Sequence, residues 1–130
     1  MNWNALGDVT ILMAEDDRFN RLLIVSLLSK YPNVKVIEAQ NGIEALEILQ
    51  QKKIDILLLD IYMPKMNGFE VMERVQKDAT LSHTPIMVLS SDEVEKKKSL
   101  KMGGDAFIRK PFNLKELEVQ IYEVLVSCRV

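Results

Sequence analysis

Acids, hydroxyls and one lysine draw attention because each lies at or just past the end of a short apolar run. Glu15, Asp16 and Asp17 follow residues 9–14, Asp60 follows 54–59, Ser90 and Ser91 follow 86–89, and Lys110 stands just beyond 106–108. Carboxylates gathered in a partly buried place repel one another unless a cation sits between them or some are protonated. A hard, oxygen-seeking ion such as Mg2+, or Mn2+, suits that donor set. Such ions usually complete their shell with water and phosphate oxygen rather than with protein alone, so the pocket suits a phosphoryl group. A carboxylate can attack phosphorus to form an aspartyl phosphate, with a metal and an ammonium neutralising the charge in transit. Asp60 is placed for the attack, Lys110 to reach the phosphoryl oxygens, and the Ser90 hydroxyl to donate to another of them.

These residues can meet only if the runs before them are parallel strands whose carboxyl ends share one edge, the place where open α/β sheets bind ligands. The rest of the chain fits. Short apolar runs alternate five times with segments of helical period, the pattern of a parallel sheet covered by helices on both faces. The run at 9–14 leads into a helix over about 18–29, with Phe19, Leu22, Leu23, Leu27 and Leu28 at helical spacing. A strand over 34–38 precedes Asn41, a suitable N-cap, and a helix with Ile43, Leu46 and Leu49 on one face. Residues 54–59 are almost continuously apolar, as a strand buried on both faces should be, and the turn-rich stretch 63–68 leads into a helix with Val71, Met72 and Val75 inward.

Pro85 opens the fourth strand at 86–89, where its missing amide hydrogen does least harm. The helix over about 93–101 has only Val94, Leu100 and Met102 as apolar anchors and is expected to be the least firmly packed. Gly103 and Gly104 end it, residues 106–108 make a short fifth strand, and Asn113 caps a last helix carrying Leu114, Leu117, Ile121 and Leu125 as one stripe.

Composition bounds the rest. A chain of 130 residues, 48% of them hydrophobic, suits one core and one domain over 1–130. Its net charge of -2 gives no broad cationic field, so direct nucleic-acid binding is not expected. Cys128 is the single cysteine and His83 the single histidine, which leaves no internal disulfide and makes His83 an ordinary loop or surface residue. No apolar run approaches the roughly 20 residues that span a bilayer, and residues 1–8 lack a signal-peptide pattern, so a cytoplasmic setting away from membranes is expected. The run Lys96-Lys97-Lys98 with Lys101 reads first as a solvated helix face and second as a docking surface for an acidic partner.

Four segments in order, Ile11-Leu12-Met13-Ala14-Glu15-Asp16-Asp17, Leu58-Leu59-Asp60-Ile61-Tyr62-Met63-Pro64, Val88-Leu89-Ser90-Ser91 and Lys110-Pro111-Phe112, resemble the receiver domains of response regulators in two-component systems. The resemblance covers nearly the whole chain and is to the chemotaxis-regulator-like single receiver. It implies a flavodoxin-like, doubly wound (βα)5 domain with strand order 2-1-3-4-5. It also implies that Glu15, Asp16, Asp60 and the backbone carbonyl of Tyr62 hold the metal, that Asp60 accepts phosphate, that Ser90 and Lys110 engage the phosphoryl group, and that Phe107 is an aromatic switch. Tyr62 and Asp92 would flank the path of the hydrolytic water and tune the phosphate lifetime, and the Lys110–Pro111 bond would be cis. Ser90 stands where threonine is commoner in the family; serine keeps the hydroxyl but lacks the methyl that restrains its rotamer, so its coupling to Phe107 should be looser.

The implied partners are a histidine kinase or histidine phosphotransfer protein as donor and an output protein or domain downstream, the chain itself being a monomer or a phosphorylation-linked dimer. In that role the chain is a signalling phosphoacceptor that assists its own phosphorylation and dephosphorylation, rather than an enzyme. Three other readings stand beside it. An aspartate-nucleophile phosphatase normally needs a second acid two residues after the nucleophile, where this chain has Tyr62. A flavin or nucleotide module would carry a glycine-rich loop after the first strand, and none is present. A phosphate-independent, receiver-like scaffold would have no need of the pocket residues this chain retains.

Overall fold

The computed structural model describes residues 1–128. After a short 3-10 turn, Trp3–Leu6, five strands alternate with five α-helices: β1 (Val9–Ala14), α1 (Arg18–Leu28), β2 (Val34–Ala39), α2 (Gly42–Gln51), β3 (Ile56–Asp60), α3 (Gly68–Lys77), β4 (Ile86–Ser90), α4 (Val94–Lys101), β5 (Ala106–Arg109) and α5 (Leu114–Cys128). The strands form one parallel sheet in the order β2-β1-β3-β4-β5, the doubly wound arrangement that the alternation of runs predicts.

Strand side chains alternate between two cores. Leu12, Leu57, Leu59, Ile86 and Val88 join Ala45 and Leu49 of α2 and Val71, Met72 and Val75 of α3 on one face. Ile11, Met13, Ile56, Leu58, Met87 and Leu89 join Ile24 and Leu28 of α1 and Leu117, Ile121 and Leu125 of α5 on the other. Every residue of β3 is buried, which is why its sequence is apolar without a break up to Asp60.

Helix starts follow the polar residues before them. Asp17 accepts from the amides of Phe19 and Asn20, Asn41 from Glu44, and Asn113 from Glu116, while Asn67 and Glu70 form a reciprocal capping box. The Lys110–Pro111 peptide is cis, and Gly103, with φ of 100°, closes α4 in the left-handed region that glycine tolerates.

Several expected inward residues face outward. Phe19 is 67% exposed and Leu22 57%, because α1 meets the sheet through Ile24 and Leu28 and turns its first-turn face away. Ile43 and Leu114 are exposed too, and Ala45 does the packing expected of Ile43. On α4, Val94 is 82% exposed and Leu100 also faces solvent; the buried residues of this helix are Glu95 and Ser99. Trp3, in a segment with no periodic signal, is buried and stacks on Tyr31 with ring centroids 4.3 Å apart. Glu118 interrupts the apolar stripe of α5, its carboxylate held by Lys30 at 2.5 Å, Tyr31 at 2.6 Å and Lys115 at 3.2 Å. These contacts tie α5 to the far end of α1.

Candidate functional site

Parallel pairing in register brings the ends of β1, β3, β4 and β5 to one edge. Ala14 lies opposite Leu59, Asp60 opposite Leu89, and Ser90 opposite Arg109, so Glu15, Asp60, Ser90 and Lys110 emerge side by side. Carboxylate oxygens of Glu15, Asp16 and Asp60 lie within 4.8 Å of one another. Glu15 and Asp60 are buried and Asp16 is exposed, giving the cluster one open side.

Lys110 reaches back across the edge. Its ammonium lies 2.6 Å from Glu15 Oε1 and 3.2 Å from Asp60 Oδ1. Burial pushes the Asp60 carboxyl up, and the adjacent Glu15 carboxylate pushes it further, to about 8, against the pull of Lys110. Burial acts to raise Glu15 too, but its bonds with Asp60 and Lys110 outweigh that and hold it below the usual carboxylate range. Lys110 is raised: burial works against its charge, and the two carboxyl groups more than offset it. At neutral pH, without a cation, Glu15 and Lys110 are therefore charged and Asp60 retains a proton.

The chemistry of this donor set fits a small divalent cation, since three carboxyl groups converge with more negative charge than Lys110 offsets. The loop that carries Glu15 and Asp16 is held by residues that sequence reasoning missed. Arg21 donates to the carbonyls of Glu15 at 2.8 Å and Asp16 at 2.9 Å, and its guanidinium lies 3.5 Å from Glu38. Asn20 donates to Glu15 Oε1 at 3.1 Å. The only sequence signal was their nearness to Glu15 and Asp16, in the first turn of α1; their orientation toward the loop is a result of packing.

Ser90 and Phe107 lie on the face covered by α2 and α3. Phe107 is half-buried and packs against that core. The Ser90 hydroxyl donates to Glu95 Oε1 at 2.7 Å and accepts from the Asp92 amide at 3.2 Å, so the buried residue of α4 that was not foreseen touches the site directly. Tyr62 is 61% exposed; its amide lies 3.4 Å from Asp60 Oδ1, and the Glu95 carboxylate helps hold its phenol above the usual range. Asp92 is exposed and accepts from the Val94 amide. His83 is exposed, and Lys96, Lys97, Lys98 and Lys101 are solvated, Lys98 lying 4.1 Å from the centre of the Phe69 ring. A cavity of about 650 Å³ opens at the amino ends of the strands, lined by Thr10, Asp55, His83 and Pro85, at the opposite edge of the sheet from Glu15, Asp16 and Asp60. No helix among the described residues is long and apolar enough to cross a membrane.

A family model described as the response regulator receiver domain matches residues 11–122. The chain is 36% identical to Histidine kinase P4 of Formosa agariphila, over 89% of this chain and 8% of that protein. It is 31% identical to the two-component response regulator ARR17 of Arabidopsis thaliana, over 94% of this chain and 88% of the relative. The solved structure of the Vibrio cholerae chemotaxis protein CheY4 superposes with a TM-score of 0.82 at 27% identity, covering 91% of this chain and 99% of that one.

Proposed function

The chain belongs to the receiver domain family of two-component response regulators, and on that premise we propose that Asp60 is its phosphoacceptor and that phosphorylation there changes the surface around α4, β5 and α5. The observation that carries the reading is the convergence of Glu15, Asp16 and Asp60 with the Lys110 ammonium bridging Glu15 and Asp60.

Glu15 and Asp16, with Asp60 and the Tyr62 carbonyl, would hold Mg2+ or Mn2+. When bound, that ion supplies the positive charge that favours ionised Asp60 and offsets the oxygens of the incoming phosphoryl group. Asp60 must lose its proton to become a nucleophile, and Glu15 and Lys110 set how readily it does so. Lys110 keeps its ammonium at Asp60 Oδ1, where it can follow the phosphoryl oxygens as the bond to the donor histidine breaks and the bond to Asp60 forms. Ser90 turns its hydroxyl to the transferred group, Phe107 moves into the space released, and α4 shifts. Tyr62 and Asp92 flank the approach of water and tune hydrolysis.

The donor is the phosphohistidine of a histidine kinase or phosphotransfer protein, and the receiver of the signal is an output protein or domain. Residues 1–130 act as one such unit, in the cytoplasm. Intact mass after incubation with acetyl phosphate tests the reading. One phosphoryl adduct in the parent with Mg2+, and none in Asp60→Ala or with chelator, is expected; no adduct in the parent, even with a kinase donor, favours the phosphate-independent scaffold.

A further inference from the structure

Ser90 is already engaged in this structure. A serine hydroxyl has one proton, and that of Ser90 is given to Glu95 Oε1 at 2.7 Å, both side chains being buried. Phosphoryl oxygens can only accept, so the hydroxyl that serves Glu95 cannot at the same time serve a phosphoryl group on Asp60. The alternation along β4 puts Ser90 on the side of Ile86 and Val88, the face that α4 helps to cover.

The other half of the observation is how α4 is fastened. Val94 and Leu100 face solvent, and the buried residues are Glu95 and Ser99, the latter spending its hydroxyl on the Lys96 carbonyl of its own helix. Glu93, at the N-cap, makes no side-chain capping bond. Asp92 accepts from the Val94 amide and gives its own amide to Ser90 Oγ, so among the described residues the first turn of α4 is fastened to the strand beneath it through the Ser90 hydroxyl, most directly by its bond to Glu95.

We infer that Glu95 is a positioning residue that competes with the phosphoryl group for the single proton of the Ser90 hydroxyl, so that phosphorylation unfastens the first turn of α4 by taking that hydroxyl away. This rests on the reading of Asp60 as phosphoacceptor. Once Ser90 leaves, Glu95 loses its buried donor and keeps only the exposed Tyr62 phenol beside it, an unfavourable state for a buried carboxylate, and it swings outward toward that phenol. The helix moves because the carboxylate can no longer stay.

The test is a double-mutant cycle on beryllofluoride, a tetrahedral phosphoryl mimic, binding in the presence of Mg2+. Wild type, Glu95→Ala, Ser90→Ala and the double variant are titrated, and hydrogen exchange of residues 94–97 is followed with and without the mimic. Glu95→Ala is expected to tighten binding about tenfold, the worth of one charge-assisted hydrogen bond no longer to be broken. In the Ser90→Ala background the same change should do nothing. Free Glu95→Ala should already exchange at 94–97 as fast as mimic-bound wild type. If Glu95→Ala fails to fold, Glu95→Gln, a weaker neutral acceptor, should give a smaller gain with the same dependence on Ser90. An equal gain with and without Ser90, or none, overturns the inference and leaves the phosphoacceptor reading standing. Failure of every variant, wild type included, to bind the mimic or take phosphate overturns both.

Discussion

Replacing Asp60 with asparagine should stabilise the metal-free protein, and by an amount that depends on pH. Burial and Glu15 raise this carboxyl from 3.8 to about 8, so between those values the folded chain holds a proton that the unfolded chain has released. The stability linked to that proton is complete below about pH 4 and is lost steadily as pH rises to about 8. Each pH unit is worth at most about 1.4 kcal/mol, which sets a ceiling of about 6 kcal/mol over the window. The cluster is open at Asp16, so water and solution ions reach it and reduce the effect to about 1–3 kcal/mol at pH 8. Asparagine keeps the shape and has no charge to bury. Urea unfolding in chelator at pH 5, 6.5 and 8 should show Asp60→Asn gaining on the parent as pH rises and levelling above pH 8. Saturating Mg2+ should narrow the gap by stabilising the parent. A difference that does not vary with pH, or an asparagine variant less stable than the parent at pH 8, would refute the electrostatic account of the site.

Other consequences follow from particular contacts. Arg21→Ala frees the carbonyls of Glu15 and Asp16 and should weaken Mg2+ binding about tenfold by calorimetry; unchanged affinity would show that the loop holds itself. A Cβ at Gly68 would lie 2.5 Å from the Asp60 carbonyl oxygen, so Gly68→Ala should lower unfolding free energy by about 2 kcal/mol or more and slow phosphorylation, both measurable on one preparation. Glu118→Ala removes the acceptor shared by Lys30, Tyr31 and Lys115 and should cost about 1–3 kcal/mol in urea unfolding while leaving acetyl phosphate uptake intact, since these partners gather at the end of α1 away from the acids.

Sequence reading succeeded where burial is two-sided and failed where polar groups do the packing. The unbroken run before Asp60 identifies a central strand because both its faces meet apolar layers, and parallel register then carries the strand-end residues to one edge without further information. Glu15, Asp16, Asp60 and Lys110 were legible for that reason. On α4 the hydropathy pattern pointed to Val94 and Leu100, yet the helix turns Glu95 and Ser99 inward, because a carboxylate supplied with a hydroxyl proton can be buried. Periodicity cannot see such a face. Phe19 and Leu22 misled in the opposite sense: α1 has apolar residues around most of its circumference, and only the packed structure shows that Asn20 and Arg21 are turned to the acidic loop. Trp3 lay in a segment too short for any period, and its burial depends on Tyr31 and Tyr122, distant in sequence.

The most direct test of the central claim is the position of the phosphoryl bond. The protein is phosphorylated with acetyl phosphate and Mg2+, treated with borohydride, which reduces an aspartyl phosphate to homoserine, and digested for peptide mapping. Homoserine at position 60, at no other acid and not in samples treated with chelator, is the predicted result. Homoserine at Asp16 or Asp17 with residue 60 untouched would contradict the account, as would phosphate that survives the reduction on a serine or threonine.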